Sequence, residues 1–190
     1  MIDFKRAFDL LWIDGLLLKL IKLKITGNFI KWIKSFLTNR TYQVKVKESL
    51  SFSYDLDNGT PQGSALSPIL FIIMINDFPE LSRYTSDAFF ADDCTVWRSG
   101  NNLPQILHHL QSDLDLISSW CKRWGFVINT EKTTGIIFTK NKCNQESQIL
   151  KIDGKQIIFK KSCTLLGVTF DSQMTWKSHI EFLENKSKAT

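Results

Sequence analysis

No stretch of this chain is long and apolar enough to cross a membrane. The longest apolar run, Pro68 to Ile75, falls far short of the ~20 residues a bilayer requires. No secretory signal is expected, because Asp3, Lys5 and Arg6 come at once. Cysteine is sparse: Cys94, Cys121, Cys143 and Cys163 stand far apart and form no CxxC pair. This excludes a disulfide framework and leaves reduced, buried thiols as the expectation, with a cytoplasmic or nuclear, intracellular setting. Histidine is sparser still, and His108, His109 and His179 lie near no cysteine at zinc-ligand spacing. Internal repeats and low-complexity tracts are absent. What remains is a 190-residue chain, 43% hydrophobic and 23% charged, with the composition of a globular domain and enough length for one full core.

Charge is unevenly spread. Residues 1–50 carry 10 basic and 4 acidic side chains, residues 51–121 carry 2 and 9, and residues 122–190 carry 12 and 6. The acidic block contains Asp92-Asp93, set between an apolar run (Ala88, Phe89, Phe90) and a β-prone run (Thr95, Val96, Trp97). A hairpin there places both acids at one tip. Two adjacent carboxylates on such a tip repel each other unless a cation neutralises them. Asp-Asp alone is commonplace in solvated turns. Basic flanks around an acidic centre suit a metal-dependent enzyme that holds a polyanion.

The periodicity predicts mixed α/β structure. Asp3 to Asp9 reads as a strand end running into a helix, with Asp9 and Asp14 as caps. Phe29, Ile30, Ile33, Phe36 and Leu37 recur at helical spacing. Alternation over Tyr42–Val46 and again over Phe52–Leu56 predicts a hairpin. Asn58 to Ser64 is turn-rich, and Ser67-Pro68 reads as an N-cap and first turn. The helix that follows, to about Phe78, is apolar almost all round and is expected to be buried. Leu103 to Trp124 predicts a long amphipathic helix closed by Gly125. Short strands are expected at Thr134–Thr139, Gln148–Ile152, Gln156–Phe159 and Leu165–Phe170, with a turn at Gly154, and a last helix over Trp176–Lys188.

Five ordered segments resemble one family. Asp3-Phe4-Lys5-Arg6-Ala7-Phe8-Asp9 resembles the first catalytic motif of reverse transcriptases, and Gly59-Thr60-Pro61-Gln62-Gly63-Ser64-Ala65-Leu66-Ser67-Pro68 their template and nucleotide loop. Phe90-Ala91-Asp92-Asp93 resembles the second catalytic motif, in the form typical of non-LTR retrotransposons. Trp124 to Thr133 is similar to the fourth motif and Leu165-Leu166-Gly167-Val168 to the primer grip. Leu166 to Asp171, followed by Trp176 and His179, is similar to the jockey-like group.

The resemblance implies a polymerase palm: an α+β fold with an antiparallel sheet backed by helices and a ferredoxin-like core. Residues 1–175 are then the palm and 176–190 the start of a thumb or connection helix. It implies an RNA-directed DNA polymerase that uses two Mg²⁺ ions, with Mn²⁺ as an alternative, an RNA template, a DNA primer and deoxynucleoside triphosphates. Asp3 and Asp92 are the implied bridging metal ligands, with Asp93 and the Phe4 carbonyl beside them. Two-metal nucleotidyl transfer requires such hard oxygen ligands. Phe8 takes the steric-gate position, where a rigid ring excludes a 2′-hydroxyl. Gln62 and Gly63 approach the nucleotide, since glycine permits close backbone approach and Gln carries both donor and acceptor. Lys132 is the candidate acid for departing pyrophosphate, and Leu166 and Gly167 the primer grip. Each has an ordinary counterpart: a core Phe8, a solvated Lys132, and tryptophans at 120 and 124 that pack rather than stack on bases.

With Met1 two residues before Asp3, the expected object is a palm excised from a longer polyprotein, without its fingers, endonuclease or most of its thumb. The alternative function is a catalytically inactive palm remnant with residual nucleic-acid binding. A group II intron maturase or RNA-templated RNA polymerase fits Phe8 and Phe-Ala-Asp-Asp less well, and a plain nucleic-acid-binding α/β module leaves the three aspartates unexplained.

Overall fold

The computed structural model describes residues 1–140 and 148–188. Cys143, one of the four cysteines expected to be reduced, lies outside them. The central sheet is antiparallel in the order β1 (Ile2–Asp3), β7 (Asp93–Arg98), β6 (Thr85–Phe90). On its other side β1 continues into a bridge between Phe4 and Ile128. There the Lys5 N–H donates to the Val127 carbonyl at 2.7 Å and the Asn129 N–H to the Asp3 carbonyl at 2.8 Å. The first few residues are thus an interior strand, held between partners about 90 and 125 positions away.

Ile2, Phe4 and Cys94 turn to one face of this sheet and are buried. Helices α1 (Ile13–Lys22), α2 (Asn28–Leu37), α3 (Leu66–Ile75) and α4 (Leu103–Trp124) supply the rest of the core through Leu16, Leu20, Ile33, Leu37, Leu70, Phe71, Met74, Leu114 and Ile117. Trp120 and Trp124 are buried in it, so they pack rather than present stacking surfaces. The Cys94 and Cys121 thiols are free, and burial pushes each up to about 12, which leaves them inert.

One buried ammonium ties the helices to one another, and one buried carboxylate ties α4 to the segment leading into β6. The Lys19 ammonium of α1 donates to the Met74 carbonyl and the Asp77 carboxylate, and sits 3.8 Å from the Trp124 ring centre. Trp120 Nε1 donates to the same Asp77 at 3.0 Å. Asp113 of α4, fully buried, accepts from the Ser82 N–H at 2.8 Å and the Ser82 hydroxyl at 2.7 Å, just ahead of β6.

α4 has the expected bounds. Asn102 Oδ1 accepts from the Gln105 N–H at 3.1 Å at one end, and Gly125 closes the other at φ 75°. A hairpin arm also forms as expected, from β2 (Arg40–Tyr42) with β5 (Tyr54–Leu56) and β3 (Lys45–Val46) with β4 (Ser49–Leu50). The remaining strands are short: β8 (Thr134–Gly135), β9 (Lys151–Ile152), β10 (Lys155–Gln156) and β11 (Ile158–Phe159). β9 and β10 turn at Asp153-Gly154, while β11 runs parallel to β8.

Five expectations are corrected. Residues 5–9 form turns, not a helix start. Asp9 and Asp14 are not caps: the residue before α1 is Trp12, which makes no side-chain cap bond, and Asp14 lies in the first turn. Ser67 is no N-cap either, since α3 begins at Leu66 and the Ser67 hydroxyl donates to the Pro61 carbonyl at 2.7 Å. The bond ties the loop to the first turn of α3 instead of capping it. α3 is not buried all round, because Ile69 and Ile72 are more than half exposed. Finally, Leu165–Phe170 is not one strand. β12 (Ser162–Leu165) and β13 (Val168–Asp171) form a hairpin whose two-residue turn, Leu166-Gly167, has φ of 49° and 81°. Positive φ at both positions is the twist-matched geometry of tight hairpins. The closing helix is α5 (Lys177–Lys188), which buries none of its residues.

Candidate active site

The cross-strand register sets Asp3 directly opposite Asp93. The Asp3 carbonyl is taken by Asn129 on the far side, so Asp3 and Asp93 form the closer, non-hydrogen-bonded type of pair, with Cα atoms about 4.5 Å apart. Paired residues share a face. Because Ile2 and Cys94 turn inward, Asp3 and Asp93 turn outward, in line with Phe90, the partner of Asp93 in β6. Asp92 occupies the two-residue turn Ala91-Asp92 at the tip, where Ala91 has φ 51°. This is a conformation that side chains other than glycine adopt at a cost.

Like charges directly opposed across a ladder destabilise it. Among the described residues, no hydrogen bond or ion pair neutralises the Asp3, Asp92 or Asp93 carboxylates. Their oxygens are hard donors of the kind Mg²⁺ takes. The Phe4 bridge to Ile128 turns the Phe4 carbonyl towards the β7 side, the side of the hairpin tip. The donor chemistry therefore fits a divalent cation. Among the described residues, however, no group of three His, Cys, Asp or Glu side chains is drawn together closely enough to hold one. The three aspartates form a facing pair and a neighbour in the turn.

Asp3 is held by a residue that sequence reasoning passed over. Its N–H donates to Thr133 Oγ1 at 3.2 Å, and the Thr133 hydroxyl donates to the Asn129 carbonyl at 2.9 Å. The turn 129–133 is thereby fixed beside the first carboxylate. Lys132 stands next to Thr133 in that turn, and its side chain is exposed.

The loop carrying Gln62 and Gly63 lies on the segment after Asp3. Gly59 N–H donates to the Leu11 carbonyl at 2.8 Å and Thr60 N–H to the Phe8 carbonyl at 2.9 Å. A Cβ on Gly59 would come within 2.4 Å of the Asp9 carbonyl oxygen, so only glycine allows this approach. Phe8 is half-buried with its ring 4.5 Å from that of Phe71, anchored in the core and open on one side. Gly63 has φ 83° and open space around it. Gln62 Nε2 donates to Asp9 Oδ1 at 2.7 Å, a contact that nothing local in the sequence announces. Leu166 and Gly167 occupy their own hairpin tip, and among the described residues no hydrogen bond or ring contact joins that tip to the carboxylates. A cleft of ≈ 350 Å³ lined by Trp12, Ile13, Asp14, Thr38, Asp57 and Asn58 includes none of these residues.

The sequence matches the reverse transcriptase (RNA-dependent DNA polymerase) family over residues 1–170. It is 31% identical over 187 residues to a probable RNA-directed DNA polymerase from transposon BS of Drosophila melanogaster, covering 95% of this chain and 20% of that protein. It is 30% identical over 186 residues to the RNA-directed DNA polymerase from mobile element jockey of the same species, covering 94% and 20%. A Pol polyprotein from type-1 retrotransposable element R1 of Bradysia coprophila is 26% identical over 97% of this chain and 18% of its own length. The chain spans about a fifth of the length of these relatives. No helix among the described residues is long and apolar enough to cross a membrane. With the first and second catalytic motifs on neighbouring strands, and a match over most of its length, the chain belongs to the reverse transcriptase family, whose members depend on divalent metal.

Proposed function

We propose that this chain is the palm of a jockey-like non-LTR RNA-directed DNA polymerase, extending a DNA primer on an RNA template with deoxynucleoside triphosphates. The observation that carries the reading is the register of β1 on β7, which opposes Asp3 and Asp93 beside Asp92. These carboxylates and the Phe4 carbonyl would hold two Mg²⁺ ions, or Mn²⁺ in their place. When bound, such ions stabilise charge on the attacking and leaving oxygens of the phosphoryl group. The protein's own residues orient and exclude. Phe8, braced on Phe71, forms the floor under the sugar, where a 2′-hydroxyl would meet the ring. Gln62 and Gly63 line the nucleotide side, Lys132 holds a proton for departing pyrophosphate, and the turn at Leu166-Gly167 meets the primer. Residues 1–175 form the palm, and 176–190 begin a thumb or connection helix. The free thiols of Cys94, Cys121 and Cys163 favour action in the cytoplasm and nucleus.

The test is a transplant. Placed in a jockey-type polymerase in place of the matching segment, this chain should support Mg²⁺-dependent primer extension on RNA. Asp92→Ala should reduce the rate by ~10³-fold or more, the scale of several kcal/mol of lost charge stabilisation. Extension that survives Asp92→Ala, or none from the unmutated chimera, would overturn the reading.

A further inference from the structure

Asp171, Trp176 and His179 carry part of the jockey-like resemblance and have no part in the carboxylate site. They meet where β13 gives way to α5. The Asp171 carboxylate gathers the donors of this junction. Its Oδ1 accepts from the Gln173 and Thr175 N–H groups at 3.1 and 3.0 Å. Its Oδ2 accepts from the Thr175 and Trp176 N–H groups at 2.9 and 2.8 Å, and from the Thr175 hydroxyl at 3.1 Å. These bonds, that of the Thr175 N–H first, hold the carboxyl below the usual carboxylate range. Within the wrap Met174 and Trp176 sit at φ 56° and 65°. Side chains other than glycine keep such a backbone only where their surroundings fix it.

The helix launched from this junction has little else to hold it, since α5 buries none of its residues. Its first contacts show where it goes. The Trp176 ring lies 5.4 Å from that of Phe170. Three residues on, His179 Nδ1 accepts from the Thr169 N–H at 3.4 Å. Leu165 and Val168 close a two-residue turn as a hydrogen-bonded pair, so Thr164 and Thr169 form the next, non-hydrogen-bonded pair. The Thr169 N–H therefore points away from β12, to the open edge of β13, and His179 covers it. Contact first with Phe170 and then with Thr169 means that α5 runs back along that edge, towards the Leu166-Gly167 tip.

We infer that Asp171 is a positioning residue that seats α5 on the edge of β13, so that the helix and the Leu166-Gly167 tip meet a primer strand as one unit. The inference rests on the reading of that tip as the primer contact. Hydrogen bonds gathered on one side chain order helix and tip before any ligand arrives.

Two measurements separate the seat from its use. The first needs no ligand: hydrogen exchange of the Thr169 amide in residues 1–190, a group bonded by His179 and not by Asp171. Asp171→Ala should speed it about tenfold, the scale of one charge-assisted hydrogen bond, while the amides that pair β12 with β13 stay protected. Asp171→Asn, whose one oxygen can still accept, should fall between. An unchanged Thr169 rate in Asp171→Ala, or protection lost through the whole hairpin, would overturn the inference, whatever the chain binds. The second measurement uses the jockey-type chimera. Asp171→Ala should raise the KM for primer–template about tenfold with kcat nearly unchanged, and Asp171→Asn should again fall between. A fall in kcat alone is what a general folding defect gives. That result, or an unchanged KM beside a faster Thr169 exchange, would show that the seat does not serve the primer. No extension by the unmutated chimera would be a failure of the polymerase reading, and the Thr169 rate would still decide whether Asp171 seats α5.

Discussion

At the scale of single residues, the ionic groups that matter for stability are not those that matter for chemistry. Lys19 is buried, and desolvation pulls its ammonium below the usual lysine range despite Asp77. Asp77 is partly exposed and also receives Trp120. Removing either partner is therefore unequal. Asp77→Ala should cost about 3 kcal/mol or more, because a buried ammonium loses its counter-charge, while Lys19→Met should cost much less, since it fills the space with an apolar chain. Urea midpoints of the two variants decide this, and equal losses would contradict it. None of this was legible in the sequence, where Lys19 is one lysine among many on an amphipathic helix. Asp3, Asp92 and Asp93 were legible because their spacing in motifs carries chemistry directly. Thr133 and Asp9 were not, since their significance lies in hydrogen bonds spanning 130 and 53 positions.

At the scale of elements, α4 shows how a correctly read helix can hide its anchor. Its bounds followed from the apolar stripe, Asn102 and Gly125. Its attachment to the sheet is Asp113, an acid in the buried stripe. Burial raises the Asp113 carboxyl, but the Ser82 N–H, the Thr85 and Ser82 hydroxyls and Arg98 outweigh it and hold the group below the usual carboxylate range. A carboxyl lowered on folding contributes stability above its unfolded value, near pH 4, and loses it as pH falls through the lower folded value. The wild-type chain should thus lose stability between pH 5 and pH 3 more steeply than Asp113→Asn, with Asp113→Asn the less stable at pH 7. Parallel pH profiles of the denaturation midpoint would rule out this anchor. α3 was misread for a related reason: an apolar periphery says that a helix can be buried, and says nothing of whether a neighbour covers its Ile69 and Ile72 face. The turn at Leu166-Gly167 escaped notice because leucine at positive φ has no local signature.

At the scale of the molecule, the segment from Gly15 to Lys47 contains no acidic residue. Lys22, Lys24, Lys31, Lys34, Lys45 and Lys47 are exposed within it. Binding of a single-stranded RNA oligonucleotide should weaken between 50 and 200 mM salt by roughly 20- to 50-fold if three or four phosphates are engaged. Gln at both Lys31 and Lys34 should flatten that dependence, and a salt-independent affinity would exclude a phosphate-led contact. The mixed α/β architecture was readable because strands and helices alternate with clear changes of period. What was not readable is the second partner of β1, the segment 127–129 on its other side, and it bears on how the molecule assembles. An interior strand flanked only by distant partners cannot zip onto a hairpin as it emerges. Its two ladders close loops of about 90 and 125 residues, whereas β6–β7 closes across a two-residue turn; long closures are the slow class of event in folding. The carboxylate of Asp3 therefore reaches the hairpin tip only through long-range closure of the chain.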